Sequence, residues 1–556
     1  LIGQEITVHG FVGKRRDLSD RLSFVNLSLP DFAGYKEIQI VSQAGPAGQD
    51  VTKDRQNVHE KLKGIKPHSA VSLTGVLSLK RRPKGKETPS ATEDALSEKD
   101  LEIQLRDVQC LASFPDDIIV SDDAQFGPET RHLQMRFDRK LADRIRFRSQ
   151  LLQAVRQELS DFSEVETPIL FKSTPEGARE FLVPTRRPGY SYALPQSPQQ
   201  YKQILMASGM HRYFQVAKCF RDEDLRADRQ PEFTQIDMEM AFAGGEDVMR
   251  RIEELVRDLC ERLHGRGSIL SPPKSPFQRV SYTEAMALYG SDKPDLRIPD
   301  AIISVDSILP EALIGMMTSL SNPVIDSWKI RLNADTSEVR KFLQEFMDSA
   351  EGMEAQKNPD GPPGIFIYDP RKPLEGLQAF GFEGLEAIKD RYIEDYPEDV
   401  QEDGEPFTEG DLIILQARPR QRFYGGSTAL GRLRTALHKS AVSKGLSPRP
   451  TKDEFLWVVD FPLFTPNNGI DPGQGGTAGF SATHHPFTAP KTAEDVDLLL
   501  SDPLAVTADH YDLVLNGVEL GGGSRRIHNS EMQQFVMRDI LKVKPPDPFP
   551  QSSAPS

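Results

Sequence analysis

The stretch Tyr213-Phe214-Gln215-Val216-Ala217-Lys218-Cys219-Phe220-Arg221, followed after a polar loop by Glu232-Phe233-Thr234-Gln235-Ile236-Asp237-Met238-Glu239-Met240, decides the fold. It reads as two antiparallel strands joined by a loop that holds Arg221, Asp222, Glu223, Asp224, Arg226, Asp228 and Arg229. On the second strand, alternation puts Phe233, Gln235, Asp237 and Glu239 on one face and Ile236, Met238 and Met240 on the other. A sheet face floored by Gln, Asp and Glu beside an Arg-laden loop is costly to bury unless it holds a polar ligand. An exposed hairpin laced by salt bridges is the alternative.

Two further clusters lie downstream. Asp512-Leu513-Val514-Leu515-Asn516-Gly517-Val518-Glu519-Leu520-Gly521-Gly522-Gly523-Ser524-Arg525-Arg526 reads as a strand followed by three glycines, which let the backbone approach a ligand closely. By simple parity Asp512 and Glu519 fall on opposite faces, so a metal shared between them requires a bulge near Asn516-Gly517. The adjacent pair His484-His485 would point in opposite directions on a strand and makes a poor joint metal site.

Working outward, residues 1–112 hold five short strand-like runs, at 6–8, 22–27, 37–41, 70–77 and 101–105, which suit a small closed barrel of the oligonucleotide-binding type. The run Lys80-Arg81-Arg82-Pro83-Lys84-Gly85-Lys86 reads as a long solvated loop. Residues 113–130 read as a hinge, and apolar spacing from Ile145 through Leu159 to Phe162 predicts a helix. Val165–Leu170 then reads as extended, with Pro168 suited to a sheet edge. The middle portion, richer in Pro and Gly, reads as an inserted domain. A tail at 545–556 carries no folding signal. The fold class is thus multidomain α+β, without an internal repeat.

Composition removes several classes. The 556 residues carry 68 Lys and Arg against 83 Asp and Glu, a net charge of −15, and no apolar run approaches a membrane span. Three isolated cysteines, Cys110, Cys219 and Cys260, exclude a disulfide framework and a Cys-rich zinc site. Residues 1–110 hold 17 basic and 15 acidic side chains, a surplus of two, so the remainder carries −17. Such asymmetry favours selective contact of the N-terminal portion with a polyanion over general adhesion.

Together these segments resemble the class II aminoacyl-tRNA synthetases, and within them the bacterial-type aspartate–tRNA ligases. Arg221 through Asp237 is similar to the family's second signature motif. Ser173 through Pro184 resembles its mobile substrate-closing loop, Gln196 through Gln203 its amino-acid-binding stretch, and Arg148 through Leu170 its first, dimer-forming motif. The resemblance implies 131–289 as the first part of a catalytic domain, 290–425 as an inserted α/β domain, and 426–544 as the second part of the catalytic domain. With this division comes ATP-dependent activation of L-aspartate to aspartyl-adenylate and transfer to tRNA(Asp), by a homodimer with no membrane anchor, as the activity the resemblance implies. It implies that Arg221 stabilises the α-phosphate and lies beside the aspartate, and that Asp222, Glu223, Gln230 and Glu519 serve ATP. Asp512 and Glu519 carry over as Mg²⁺ ligands. Lys202 and Arg526 carry over as cations for the substrate's side-chain carboxylate, and Glu176, Gln199 and Asp237 as receivers of its ammonium group, with His484 closing over it. In the barrel, Phe24 would stack on an anticodon base, Gln39 would read a base edge, and Arg15 and Arg16 would meet phosphates or bases.

One departure stands out: the family's third motif, a Gly-Leu-Asp-Arg element, is not found after Arg526, where one helix over 530–542 is expected before the Pro/Ser tail. An active ligase and a non-catalytic tRNA-binding relative therefore both remain as readings, the retained charged set favouring the first. The interrupted barrel at Pro30–Tyr35 resembles fungal mitochondrial versions, which implies the mitochondrial matrix, with the cytoplasm as alternative. The sequence opens on Leu1, so the expectation is that the true N-terminus and any targeting peptide lie outside it.

Overall fold

The computed structural model describes residues 2–29, 36–44, 50–80, 100–121, 124–173, 179–222, 230–264, 273, 276–372, 381–397, 400–401, 404–467 and 476–543. The chain divides near residue 153 into two compact units.

In the first unit, β1 (Glu5–Ser19), β2 (Leu22–Leu29), β3 (Lys36–Gln43), β4 (Ala70–Leu79) and β5 (Leu101–Ala112) form a closed barrel in the order β1-β2-β3-β5-β4. Only the β3–β5 pairing is parallel. Alternation explains the interior: Val25, Leu27, Ile40, Val71, Leu73 and Ile103 point inward and are fully or nearly fully buried. A helix absent from the sequence reading, α1 (Asp50–Gly64), lies between β3 and β4. Its apolar residues are sparse, but Val58 and Leu62, with Ile65 just beyond its end, recur at helical spacing and join the barrel core. The Pro30–Tyr35 insertion, nearly all of the basic run after Lys80, and the 545–556 tail fall outside the described residues.

In the second unit, strands Arg212–Phe220 and Glu232–Met240 pair antiparallel without a break, from Glu232 opposite Phe220 to Met240 opposite Arg212. The short Ser163–Glu164 strand adds parallel to Arg212–Phe220 at the edge. Strand character ends there, so the extended stretch expected through Leu170 makes no further strand, and Ile169 and Leu170 are exposed. The predicted helix is present as Arg139–Glu158. Ala154 and Val155 on it and Leu159 just beyond it are buried, whereas Ile145, expected on the same apolar face, is exposed.

A second sheet orders Gln278–Ser281, Phe455–Val459, His510–Leu515 and Val518–Ser524. Its Phe455–Val459 strand is buried at Leu456, Trp457 and Val458. The Trp457 indole donates to Glu253 Oε1 at 2.9 Å, giving that buried carboxylate a partner. In chain order, between the paired strands Gln278–Ser281 and Phe455–Val459, comes a separate four-stranded sheet, of Ile303–Ser304, Pro323–Ile330, Leu412–Pro419 and Gly364–Ile367. Hydrophobic clusters cover both its faces. One takes Leu430, Leu433 and Leu437 from the Ala429–Ser443 helix, the other Leu385, Ile388 and Tyr392.

Candidate active site

The site is built on the 232–240 strand. Lys202, one turn into the Gln199–Ala207 helix and only 5% exposed, donates to Asp237 Oδ1 at 2.9 Å and lies 2.8 Å from Glu239 Oε1. One ammonium reaching residues i and i+2 requires both carboxylates on one face, which strand alternation supplies. Arg526 approaches from the other sheet, with Nη2 3.9 Å from the same Glu239 oxygen and the guanidinium 4.7 Å from the centre of the Phe487 ring. Burial drives the Glu239 carboxyl up, but Lys202 and Arg526 overcome it and hold the group below its ordinary value. For Asp237, burial outweighs Lys202 and raises the carboxyl. Burial opposes the Lys202 charge, and the two carboxylates overcome that and hold it firmly protonated.

The two cations therefore already have counter-charges within the protein. What is left unsatisfied is directional: among the described residues, Arg526 Nε and Nη1 and Asp237 Oδ2 are buried with no hydrogen-bond partner. Donors and an acceptor in this state are the features a zwitterionic ligand would satisfy. Gln199 is buried at the start of the same helix as Lys202. Arg221 follows the 212–220 strand and stacks 5.1 Å from the centre of the Phe233 ring. Phe233 shares the face of Asp237, so the stack holds the guanidinium over the floor of the site. Asp222 and Gln230 are exposed, and Asp222 N donates to the Arg179 carbonyl. Glu176 and Glu223 lie outside the described residues.

The second cluster corrects the parity argument. Asn516 and Gly517 form a two-residue hairpin turn, both at positive φ (54° and 81°), so Leu515 faces Val518 and Val514 faces Glu519. Such a turn pairs residues of opposite number parity, which brings Glu519 to the face of Val514 and hence of Asp512 without any bulge. The bulge that does occur lies at Leu520, beyond Glu519, and sets Asp512 opposite Gly522. The glycines are also part of a strand instead of following one. A Cβ on Gly522 would fall 2.3 Å from Asp512 Oδ1, and one on Gly523 2.6 Å from the Tyr511 ring, so two of the three admit the protein's own side chains. Gly521 alone faces open space.

Lys293, to which the sequence reading gave no role, lies among three carboxylates. Its Nζ is 2.7 Å from Asp292 Oδ2, 3.4 Å from Glu519 Oε2 and 3.7 Å from Asp512 Oδ2. Burial raises all three carboxyls, Asp512 most completely enclosed at 1% exposure. Asp512 Oδ1 accepts from or faces His510 Nε2 at 2.9 Å, while its Oδ2 has no hydrogen-bond partner among the described residues.

His484 stacks on His510 with ring centres 3.7 Å apart, its Nε2 3.9 Å from Asp512 Oδ2. Ligand atoms of His484, His510 and Asp512 all lie within 4.8 Å of one another, a grouping able to hold a metal ion. Burial pushes His484 and His510 down to about 3, aided by His510 and Arg526 respectively, and His485 to about 2, aided by Arg526. Sequence reasoning missed His510 and Lys293, and it placed Glu239 beside Asp237 on the polar face without giving it a role. A period-2 signal could have drawn His510 to Asp512; no local signal pointed to Lys293.

On the barrel, Arg16 and Phe24 are cross-strand partners, with the guanidinium 5.7 Å from the ring centre. Phe24 alternates with the buried Ser23 and Val25 and is half-buried, so it is not a core residue. Gln39 pairs opposite Asn26 and donates to Glu102 Oε2 at 2.9 Å. Arg15 turns elsewhere, donating to the Lys63 carbonyl and pairing with Asp17.

The family described as tRNA synthetases class II (D, K and N) matches residues 123–549. The mitochondrial aspartate–tRNA ligase of Schizosaccharomyces pombe is 38% identical, over 98% of this chain and 84% of the relative. The mitochondrial aspartate–tRNA ligase of Homo sapiens is 33% identical, over 97% and 77%. The aspartate–tRNA(Asp/Asn) ligase of Opitutus terrae is 33% identical, over 98% and 84%.

Proposed function

The chain belongs to the class II tRNA synthetases of the aspartate, lysine and asparagine group and functions as an aspartate–tRNA ligase, and from that premise we propose how its residues divide the work. The α-carboxylate of aspartate attacks the α-phosphorus of ATP, giving aspartyl-adenylate and pyrophosphate, and the aspartyl group then passes to the terminal adenosine of tRNA(Asp). Arg221, stacked on Phe233, meets the charge that develops on the α-phosphate, and Asp222, Glu223 and Gln230 serve the rest of the nucleotide.

Arg526 recognises the side-chain carboxylate, and its buried, unbonded Nε and Nη1 are the observation that carries this reading. A carboxylate offers two oxygens to such a fork, whereas an amide offers one oxygen and confronts the other donor with N–H groups. Lys202 acts on the same carboxylate as a point charge and holds Asp237 and Glu239 in place. Asp237, with Gln199 and Glu176, receives the ammonium group, and His484 closes over the substrate.

The donor set suits Mg²⁺: Asp512 and Glu519 offer hard carboxylate oxygens, one of them the unbonded Asp512 Oδ2. When bound, the ion would neutralise phosphate charge. For the Gly-Leu-Asp-Arg element, whose Arg meets the γ-phosphate in the family, no residue here is assigned.

The barrel, with strand order 1-2-3-5-4, is read as an oligonucleotide-binding fold that takes the anticodon through Arg15, Arg16, Phe24 and Gln39. Residues 290–425 form the inserted domain. Exposed Ile169 and Leu170 support a homodimer joined through the first motif. No helix among the described residues is long and apolar enough to cross a membrane, and the relatives' names support work in the mitochondrial matrix. The non-catalytic alternative rests on the unassigned Gly-Leu-Asp-Arg element alone, and nothing in the family match or the relatives' names favours it.

Aspartate-dependent ATP–pyrophosphate exchange tests the assignment. Arg526→Gln should cut kcat/KM for aspartate by about 10²-fold or more while leaving ATP affinity little changed. Exchange that survives this substitution unaltered contradicts the role of Arg526.

A further inference from the structure

Resting on the assignment of Asp512 and Glu519 as the metal-binding pair, we infer that Lys293 is a tethered cation that occupies their site in the metal-free enzyme, retreats toward Asp292 when the divalent ion enters, and so sets metal affinity. It is a positioning residue, acting through the two carboxylates.

The geometry is that of a counter-ion with a parking place. Lys293 Nζ makes its short contact with Asp292, at 2.7 Å, while Glu519 and Asp512 stand off at 3.4 and 3.7 Å. The two outer carboxylates are thus held electrostatically by the ammonium, and an arriving ion breaks no short hydrogen bond between Lys293 and either of them. Without Lys293, three neighbouring carboxylates would repel one another in a half-buried site, which is costly at low effective dielectric. The buried Asp512 Oδ2, without a hydrogen bond, is the atom to which this matters most.

The backbone that carries Lys293 is fixed. Thr428 N donates to the Gly290 carbonyl at 2.9 Å, and Asp292 N to the Gly426 carbonyl at 3.0 Å. Gly290, at φ +67°, packs so closely on Gly431 in the first turn of the Ala429–Ser443 helix that a Cβ on Gly431 would fall 1.9 Å from the Gly290 oxygen. Ser291 also bridges to Ser427. A side chain rooted in so rigid a segment moves by its own rotamers, and that suits a displaceable ammonium at the end of a four-carbon stem.

Binding of Mn²⁺ alone, followed through the electron paramagnetic resonance of the free ion, tests the inference without reference to activity. Lys293→Met should bind Mn²⁺ at least about tenfold more tightly than the wild type, because the competing charge is gone. Lys293→Arg, which keeps the charge, should stay near the wild-type affinity. Unchanged or weaker binding by Lys293→Met, with binding still abolished by Asp512→Asn, overturns the role of Lys293 and leaves the metal assignment standing. Binding that Asp512→Asn does not reduce overturns the metal assignment itself. Should Lys293→Met fail to fold metal-free, recovery of folded protein on titrating Mn²⁺ is the expected result, and failure to recover contradicts the inference.

Discussion

A guanidinium buried with two of its nitrogens unbonded is an expensive arrangement, because each lost hydrogen bond to water costs on the order of 1–3 kcal/mol. Arg526 is held in this state by Phe487 beneath it and by Glu239 at its third nitrogen. Lys202 differs: its charge is shared between Asp237 and Glu239 before any ligand arrives. Selectivity for an acidic side chain thus lies in direction more than in net charge. The same enclosed region keeps its imidazoles neutral. His484 and His510 are pushed to about 3 and His485 to about 2, against an ordinary value of 6.5. The sign follows from proton uptake. Below pH 6.5 the unfolded chain binds protons that the folded imidazoles refuse, so their contribution to stability is full above pH 6.5 and is lost as pH falls below it. The slope approaches roughly 1.4 kcal/mol per pH unit for each histidine. Nitrogen-15 spectra of labelled histidine should show these three rings neutral and untitrating from pH 8 to 5; a midpoint near 6.5 for any of them contradicts the packing described.

At the scale of the element, the 510–524 hairpin shows how a pattern can be read correctly and yet misplaced. Numbering parity along a single strand separates Asp512 from Glu519, but Asn516-Gly517 is itself one of the strongest hairpin signals, and a two-residue turn reverses the parity. The glycine run was legible as a place of close approach, although what approaches Gly522 is the carboxylate of Asp512. Gly522→Ala should therefore lose roughly 1–3 kcal/mol of stability through the displaced Asp512. Gly521→Ala, facing open space, should change stability by less than about 1 kcal/mol. Thermal unfolding of the two variants compares them, and equal losses contradict the hairpin register.

At the scale of the whole molecule, the barrel strands and the 212–240 strand pair were legible because alternation is a local property. Helix 50–64 was not, since three apolar residues in a polar stretch gain meaning only against a barrel already formed. Lys202 and Arg526 lie 324 positions apart in sequence, and no local pattern says that both reach Glu239; family resemblance supplied that pair. Lys293 escaped both routes. The central claim is that the unbonded donors of Arg526, fixed by this convergence, select a carboxylate over its amide. Pyrophosphate exchange with ATP, driven by L-aspartate and separately by L-asparagine, tests it most directly. The account predicts exchange with aspartate favoured by about 10³-fold or more in kcat/KM; equal exchange with both amino acids, or none with aspartate, would contradict it.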